Sequence, residues 1–280
     1  MPLALILSSH VASSRVGGFV KALALAQLKI DPVVVPTVLF GRHPGWGPPG
    51  GGATPPDIFQ GMLDGIEANG LFGLTEVVMT GYFANPDQVA AAARAIDAVR
   101  AQRRTGAKLR IVVDPVMGDD GKGLYVSPEV AEAIATELVP RADLVTPNAW
   151  ELERLTGATV RDPADARAAT RLVGKPLLVS SVPHGPEEMG VVYADGHEAW
   201  FAAHPRLSKA PNGAGDLLCA LFAAAMVEDQ PMSYALARAV GGVMETLTAA
   251  QSWEASELPL VAVGPKIRQA SPLVRIERLI

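Results

Sequence analysis

The sequence contains a single cysteine, Cys219, among its 280 residues. An intramolecular disulfide is therefore impossible, and a reducing compartment such as the cytoplasm is expected. Cys219 also falls within a continuous apolar run that predicts a buried helix, so a cysteine nucleophile is not expected.

Long hydrophobic runs and an excess of positive charge are missing as well. The apolar runs at residues 3–7 and 220–227 are too short to span a membrane, and no basic residue precedes the first as in a secretory signal. The formal net charge of −5 argues against a broad nucleic-acid surface. We therefore expect a cytoplasmic protein that binds neither a membrane nor nucleic acid.

Two common phosphate-binding motifs are absent. Because there is no G-x-x-x-x-G-K-[ST], a P-loop enzyme is excluded, and because no G-x-G-x-x-G follows the first apolar run, dinucleotide redox chemistry is not expected. The five histidines are scattered and lack the spacing of a metal site. If this chain binds a phosphate group, it does so through a different motif.

Short apolar runs alternate with helical patterns along the chain, which predicts a mainly parallel sheet covered by helices. No domain linker is visible, so we expect one α/β domain over residues 1–280, with eight or nine strands in the central sheet. Residues 41–56 hold six glycines and five prolines and are expected to form a mobile loop without regular structure. The predicted strands are residues 3–7, a second strand of residues 33–35 and 38–40 interrupted by Pro36, and residues 76–79, 109–113, 144–145, 177–179, 191–193 and 198–202.

The stretch Asn212-Gly213-Ala214-Gly215-Asp216 precedes an apolar run that has no breaker until Glu228. The first N–H groups of such a helix have no intrahelical partner and carry the positive end of its dipole. Because glycines let an anion approach the backbone closely, this turn suits developing negative charge, with Asp216 placed to take a proton. The alternative, that Asp216 only caps the helix, is favoured by base rates when the motif stands alone.

Two further motifs offer oxygen ligands for a cation. Asp114 and Asp119 lie in one glycine-containing loop after a predicted strand, and Mg²⁺ takes one or two carboxylates together with phosphate oxygens and water. Asn148 and Glu151 are three residues apart and share a helix face. The alternatives are a solvated turn for the first pair and a helix-capping box for the second.

Polar residues follow several of the predicted strands, where ligands bind in an open parallel sheet. This coincidence raises the odds of a functional site above those of any single motif. The clusters are Ser9, Thr80 to Tyr82, Asp114, Thr146 to Asn148, and Ser180-Ser181.

These stretches, taken in order, resemble the pyridoxal kinase branch of the ribokinase-like superfamily over about residues 3–250. The resemblance rests on Ser9-His10-Val11 with Val16-Gly17, Thr37-Val38-Leu39-Phe40 with His43, Thr80-Gly81-Tyr82, Asp114-Pro115-Val116-Met117-Gly118, Thr146-Pro147-Asn148 with Glu151, and Gly213-Ala214-Gly215-Asp216. It implies a three-layer α/β/α fold, a homodimer, and ATP-dependent phosphorylation of the 5′-hydroxyl of pyridoxal, pyridoxine or pyridoxamine.

The resemblance also assigns a role to each site residue. Asp216 is implied as the general base, with the N–H groups of Gly213, Ala214 and Gly215 as the anion hole. Asp119, Asn148 and Glu151 are implied around Mg²⁺, and Asp114, Thr146 and Glu151 around K⁺ or Na⁺. Ser181 and Tyr125 are expected to reach ATP phosphates. Ser9, Val16, Phe40, His43 and Tyr82 are expected to surround the substrate ring.

The sequence departs from the family pattern around the substrate. Ser14 and Gly18 stand where the family usually has Gly and Asn, and Leu124 stands where some members have a cysteine that can trap an aldehyde. Two rivals stay open: hydroxymethylpyrimidine kinase, which shares the base and anion hole, and a catalytically retired ligand-binding protein of the same fold. Intact Asp216, Asp119 and Glu151 argue against the second rival.

Overall fold

The computed structural model describes residues 1–207, 209–264 and 266–280. Its centre is a ten-stranded sheet in the order β12-β11-β10-β9-β8-β5-β4-β1-β2-β3. Six neighbouring strands, from β9 to β2, run parallel, and antiparallel strands complete both edges. The twelve strands are Leu3–Val11 (β1), Asp31–Phe40 (β2), Gly51–Ala53 (β3), Thr75–Thr80 (β4), Arg110–Val113 (β5), Gly118–Asp119 (β6), Gly123–Leu124 (β7), Leu144–Val145 (β8), Leu177–His184 (β9), Glu188–Ala194 (β10), Ala199–Pro205 (β11) and Arg275–Arg278 (β12), of which β6 and β7 form a separate small hairpin.

Helices cover both faces of the sheet. They are Gly17–Gln27 (α1), Pro56–Ala68 (α2), Pro86–Gln102 (α3), Pro128–Ala133 (α4), Ala149–Thr156 (α5), Pro163–Val173 (α6), Ala214–Val227 (α7), Met232–Ser252 (α8) and Leu260–Val263 (α9). Side chains of β1 alternate between two cores: Leu5 and Leu7 pack with α2 to α6, whereas Ala4 and Ile6 pack with α1, α7 and α8. The predicted α/β/α layering with a mainly parallel sheet is therefore confirmed.

The sheet has ten strands rather than eight or nine, because β3 and β12 add to its edges. The residue 41–56 region, predicted to lack regular structure, contains β3 and a 3₁₀ turn at Pro44–Trp46. Glycine permits this pairing: a Cβ on Gly51 would meet the carbonyl oxygen of Leu39 at 2.0 Å. Pro36 does not split β2, since it lies opposite Ser8, where the register with β1 becomes irregular.

The buried helix predicted after Gly213 is confirmed as α7, which ends at Val227 with Glu228 as its C-cap. Nine of its residues, from Leu217 to Ala225, are buried. Within the described residues, no helix combines the length and apolar character that a membrane crossing requires. The parallel strands all end at one edge of the sheet, and the N-terminus of α7 lies beside this edge, where Asp216 contacts residues of α1.

Candidate active site

The first turn of α7 has a backbone conformation that requires glycine. Gly213 is the N-cap residue with φ +94°, and a Cβ at this position would meet the carbonyl oxygen of Arg15 at 2.1 Å. No side chain caps the helix, and its first intrahelical bond runs from the N–H of Leu217 to the carbonyl of Gly213. The preceding N–H groups thus have no intrahelical partner and can receive an anion.

Asp216 does not cap its own helix, although capping was the alternative interpretation of the sequence. Its Oδ2 accepts the backbone N–H of Gly17 at 2.8 Å, and its Oδ1 accepts the ammonium of Lys21 at 2.6 Å. The side chain is 16% exposed, so one part of the carboxylate faces the open end of the sheet. The two donors fix the orientation of the carboxylate.

Lys21 is a buried charged residue of this site that sequence reasoning missed. Its side chain is completely buried, and its Nζ contacts Oδ2 of Asp114 at 2.9 Å as well as Asp216. Burial acts to lower the pKa of Lys21, but the two carboxylates outweigh it and raise this pKa above its ordinary value. A signal was present, since Lys21 is the only charged residue of α1 and lies four residues after Gly17, on the same helix face.

Three residues were expected around a monovalent cation: Asp114, Thr146 and Glu151. Asp114 and Glu151 have partners within the protein, whereas the Thr146 hydroxyl has none among the described residues. Asp114 is paired with Lys21, and burial raises its pKa although the ammonium opposes this. Glu151 accepts three backbone N–H groups, those of Met117, Gly118 and Asn148. Thr146 Oγ1 is buried beside Asp114 and, among the described residues, has no hydrogen-bond partner. The Lys21 ammonium therefore contacts one of the three residues predicted around the monovalent ion, and a second cation would have to share Asp114 with it.

The capping box that was the alternative interpretation of Asn148 and Glu151 is formed. Asn148 Oδ1 accepts the N–H of Glu151, and Glu151 Oε2 accepts the N–H of Asn148. The Asn148 amide also donates to the carbonyl of Gly118, which ties α5 to the loop after β5. Burial and the charge of Asp114 raise the pKa of Glu151 to about 8, although its three N–H partners act to lower it.

Asp119 has the most accessible carboxylate among the predicted magnesium ligands. Its Oδ1 accepts the N–H of Asp120, and the side chain lies in the small β6–β7 hairpin. Burial and the Asp119 carboxylate raise the pKa of Tyr125 to about 12, which places this phenol beside Asp119. In the described part of the chain, no three His, Cys, Asp or Glu side chains cluster as a metal site. The donors fit a Mg²⁺ ion held by one protein carboxylate together with phosphate oxygens.

The residues predicted to surround the substrate ring come from β1, β2 and β4. Ser9 is buried against the backbone of Gly17, where a Cβ would meet Ser9 Oγ at 2.1 Å, and Val16 is the buried N-cap of α1. Phe40 ends β2, and the carbonyl of Tyr82 accepts the Thr37 hydroxyl, which holds Tyr82 beside that strand. Burial raises the pKa of Tyr82.

His43 precedes the 3₁₀ turn of the glycine- and proline-rich loop. Its Nδ1 accepts the N–H of Gly45, so this nitrogen is unprotonated and the turn is fixed by the ring. Burial lowers the pKa of His43, which favours the neutral imidazole. The loop is anchored from its other side by Arg42, whose Nε donates to the carbonyl of Pro48 at 2.8 Å.

Two further polar residues lie in this region, Ser181 and Glu257. Ser181 is exposed in β9 with φ +59°, an uncommon conformation for a residue other than glycine. Glu257, which sequence reasoning missed, accepts the Ser14 hydroxyl at 2.8 Å and the Arg15 N–H at 2.6 Å. No local sequence signal marked Glu257, because its partners lie more than 240 positions away.

The chain has relatives among known proteins. A family model described as phosphomethylpyrimidine kinase matches residues 76–260. The chain is 32% identical to the pyridoxine/pyridoxal/pyridoxamine kinase of Bordetella avium, over 96% of this chain and 92% of that protein. It is also 32% identical to the pyridoxal kinase PdxY of Deinococcus radiodurans, over 98% of this chain and 96% of that protein. The chain belongs to the pyridoxal kinase family.

The fold of this family is confirmed by a solved structure. The pyridoxal kinase of Leishmania donovani in complex with ADP and pyridoxamine is 25% identical, covers 100% of both chains and gives a TM-score of 0.92. The predicted ribokinase-like architecture therefore holds over the whole sheet.

Proposed function

We propose that the protein transfers the terminal phosphoryl group of ATP to the 5′-hydroxyl of pyridoxal, and of pyridoxine and pyridoxamine, giving the 5′-phosphate in vitamin B6 salvage. One observation carries the chemistry: the Asp216 carboxylate is held by Gly17 and Lys21 at the N-terminus of a 14-residue helix. Relatives named as pyridoxal kinases support the substrate class, and so does a related kinase structure that contains ADP and pyridoxamine.

Asp216 accepts the proton of the substrate hydroxyl as the oxygen attacks the γ-phosphorus. A positioned general base contributes ~10²–10⁴-fold to the rate of such a step. The N–H groups of Gly213, Ala214 and Gly215 face the transferred phosphoryl group and stabilise its negative charge. Phosphoryl transfer depends mainly on positioning and charge neutralisation, and this turn supplies both.

Asp119 holds the Mg²⁺ ion in this proposal. The ion neutralises the charge of the ATP phosphates when it is bound. Asn148 and Glu151 face the ion partly through water, and their side chains also fix Met117 and Gly118 and thereby the loop that carries Asp119. Two residues contact the ATP phosphates: Tyr125, which lies beside Asp119, and Ser181. Asp114 and Thr146 lie farther from the phosphates than these two residues.

The substrate ring lies between Val16, Phe40 and Tyr82, with Ser9 and His43 bonding its substituents. The neutral imidazole of His43 suits this role, because its Nε2–H remains a donor while Nδ1 accepts from Gly45. Val16 begins the helix that carries Lys21, and the contact of Lys21 with Asp216 supports a ring position next to this carboxylate.

Three broader statements belong to the same proposal. Residues 1–280 form one kinase domain, since a single sheet includes strands from Leu3 to Arg278. The active form is a homodimer, as the family resemblance implies, and the protein is cytoplasmic, as its single cysteine and short apolar runs suggest. Light scattering of the purified protein measures the first of these two, and a monomer at working concentrations would contradict it.

Hydroxymethylpyrimidine kinase is the second candidate, because the matching family model is described as phosphomethylpyrimidine kinase. ATP turnover coupled to ADP detection, measured side by side with the three B6 vitamers and hydroxymethylpyrimidine, separates the two. We expect pyridoxal to be turned over well above the pyrimidine, and only when Mg²⁺ is present. Faster turnover of the pyrimidine would assign the enzyme to thiamine metabolism. Tight binding of these compounds without turnover would indicate a ligand-binding protein that has lost kinase activity.

A further inference from the structure

The side-chain ammonium of Lys21 is a buried cation within this site. Lys21 Nζ lies 2.6 Å from Asp216 Oδ1 and 2.9 Å from Asp114 Oδ2, and its side chain has no exposed surface. Breaking such a buried pair leaves a carboxylate without compensation in a medium of low dielectric constant, so the three groups form one unit. One ammonium thus neutralises part of the charge of two carboxylates, one of which lies in the first turn of α7.

The ammonium contacts the kind of oxygen that a monovalent ion also binds. Two carboxylate oxygens from separate elements contact it, those of Asp216 on α7 and Asp114 after β5. Ser8 Oγ and Lys21 Nζ both border Gly81, where an added Cβ would meet them at 2.2 and 3.0 Å. The hydroxyls of Ser8 and of Thr146, which lies beside Asp114, are buried without hydrogen-bond partners among the described residues.

An ammonium group and a potassium ion have the same charge and nearly the same size. Both prefer carboxylate, hydroxyl and carbonyl oxygen as neighbours. Asp114 and Thr146, two of the three residues expected to bind K⁺ or Na⁺, lie at the end of the site that Lys21 fills. A second cation there would face an ammonium that shares the same carboxylate oxygens.

We propose that the Lys21 ammonium is the resident cation of the phosphoryl-transfer site and takes the place of a monovalent metal ion. Lys21 is a positioning residue: it orients Asp216 and balances Asp114 without touching the substrate. The enzyme therefore works without K⁺ or Na⁺. This inference rests on the proposed kinase function for its rate measurements, but its binding measurements are independent of activity.

The wild-type holoprotein provides the first test. Initial rates are measured with ATP, Mg²⁺ and pyridoxal in tetramethylammonium chloride, and then with K⁺, Na⁺ or NH₄⁺ at the same ionic strength. Equal rates in all four salts are expected. A rate that depends strongly on K⁺ or Na⁺ would overturn the proposal without any variant. If no substrate is turned over in any salt, the proposed function fails, and the thermal measurements decide the role of Lys21.

Two substitutions at one position provide the second test. Lys21→Ala leaves room for an ion, whereas Lys21→Met fills nearly the same space without a charge. We expect Lys21→Ala to lower kcat by up to ~10²-fold, since misplaced catalytic groups have effects of this size. K⁺ or NH₄⁺, but not tetramethylammonium, should restore kcat in Lys21→Ala and not in Lys21→Met, while the KM for ATP changes less.

Thermal unfolding gives a readout that does not require catalysis. The Tm of Lys21→Ala should rise with K⁺ over tetramethylammonium, whereas the Tm of the wild type and of Lys21→Met should not distinguish these ions. Lys175→Ala is the control, because the Lys175 ammonium is exposed and donates to the carbonyl of Pro140. If Lys21→Ala and Lys21→Met lose the same kcat and Tm, and neither responds to a particular ion, Lys21 only forms a structural ion pair. This result would overturn the proposal. Should Lys21→Ala fail to fold, the wild-type salt series decides alone.

Discussion

The backbone N–H of Gly17 donates to Oδ2 of Asp216 at 2.8 Å and joins residues 199 positions apart in the chain. The same turn supplies the carbonyl of Arg15 that leaves room only for glycine at position 213. The segment from Ser14 to Gly17 therefore fixes both the carboxylate and the first turn of α7. Glu257 holds this segment in place through Ser14 and Arg15.

Gly213→Ala is expected to lower both stability and activity. The new Cβ would meet the Arg15 carbonyl at 2.1 Å, and φ is +94°, a strain of ~1–3 kcal/mol. Thermal unfolding of the variant measures the loss. Gly215→Ala is the matched control, because no atom lies within 4 Å of its added Cβ. Equal Tm values for the two variants would contradict the close packing of this turn against Arg15.

Glu257→Gln should lower kcat more than it raises the KM for ATP. The neutral Gln amide keeps only one acceptor oxygen, so both donors lose a charged partner, one of them loses its acceptor as well, and the segment that orients Asp216 loosens. Steady-state kinetics with pyridoxal in excess measure the effect. Glu254→Gln, a change at an exposed residue of the same connection, serves as the control. If both variants match the wild type, Glu257 has no positioning role.

The stability of the protein without divalent cations should fall as pH rises from about 4.5 to about 8. Burial raises the pKa of Glu151 to about 8, so its contribution is complete below the unfolded pKa and is lost as pH rises through the folded one. Glu151→Gln should remove this part of the pH dependence of Tm, while Glu132→Gln, at an exposed position, should keep it. If the Tm of Glu151→Gln depends on pH as strongly as the Tm of the wild type, the three N–H donors keep Glu151 ionised.

The loop from Gly41 to Ala53 is expected to act as a lid over the substrate. Arg42→Ala removes the bond from its guanidinium to the Pro48 carbonyl and should loosen the loop. The KM for pyridoxal should then rise while kcat changes less, because such loops retain substrate rather than perform the chemistry. Unchanged KM and kcat would show that this anchor does not control substrate retention.

The main architecture could be predicted because its signals are local. Alternating apolar runs indicated the parallel strands, and the Gly213 to Asp216 stretch before an apolar run indicated the start of α7. The edge strands could not be predicted in this way. β3 consists of Gly51–Ala53 and has no apolar side chain larger than alanine, and β12 depends on pairing with β11, 70 or more positions earlier in the chain.

The partners within the site were less predictable than its residues. The Asn148–Glu151 spacing fitted both a capping box and a metal site, and the structure forms the box, so the metal role of these two residues stays a prediction. Lys21 was not identified, because a lone lysine in an apolar helix gives no indication of which carboxylates its ammonium meets. Those partners, Asp114 and Asp216, come from distant elements that only the folded sheet brings together.

Single-turnover phosphorylation of pyridoxal by Asp216→Asn tests the central claim most directly. The rate of pyridoxal 5′-phosphate formation is measured with enzyme in excess, and ATP binding is measured by calorimetry on the same preparation. Asp64→Asn, on the exposed face of α2, is the control for the substitution itself. We expect Asp216→Asn to lose ~10²–10⁴-fold in rate while it still binds ATP. A rate close to that of the wild type would contradict the role of Asp216 as the base in this site.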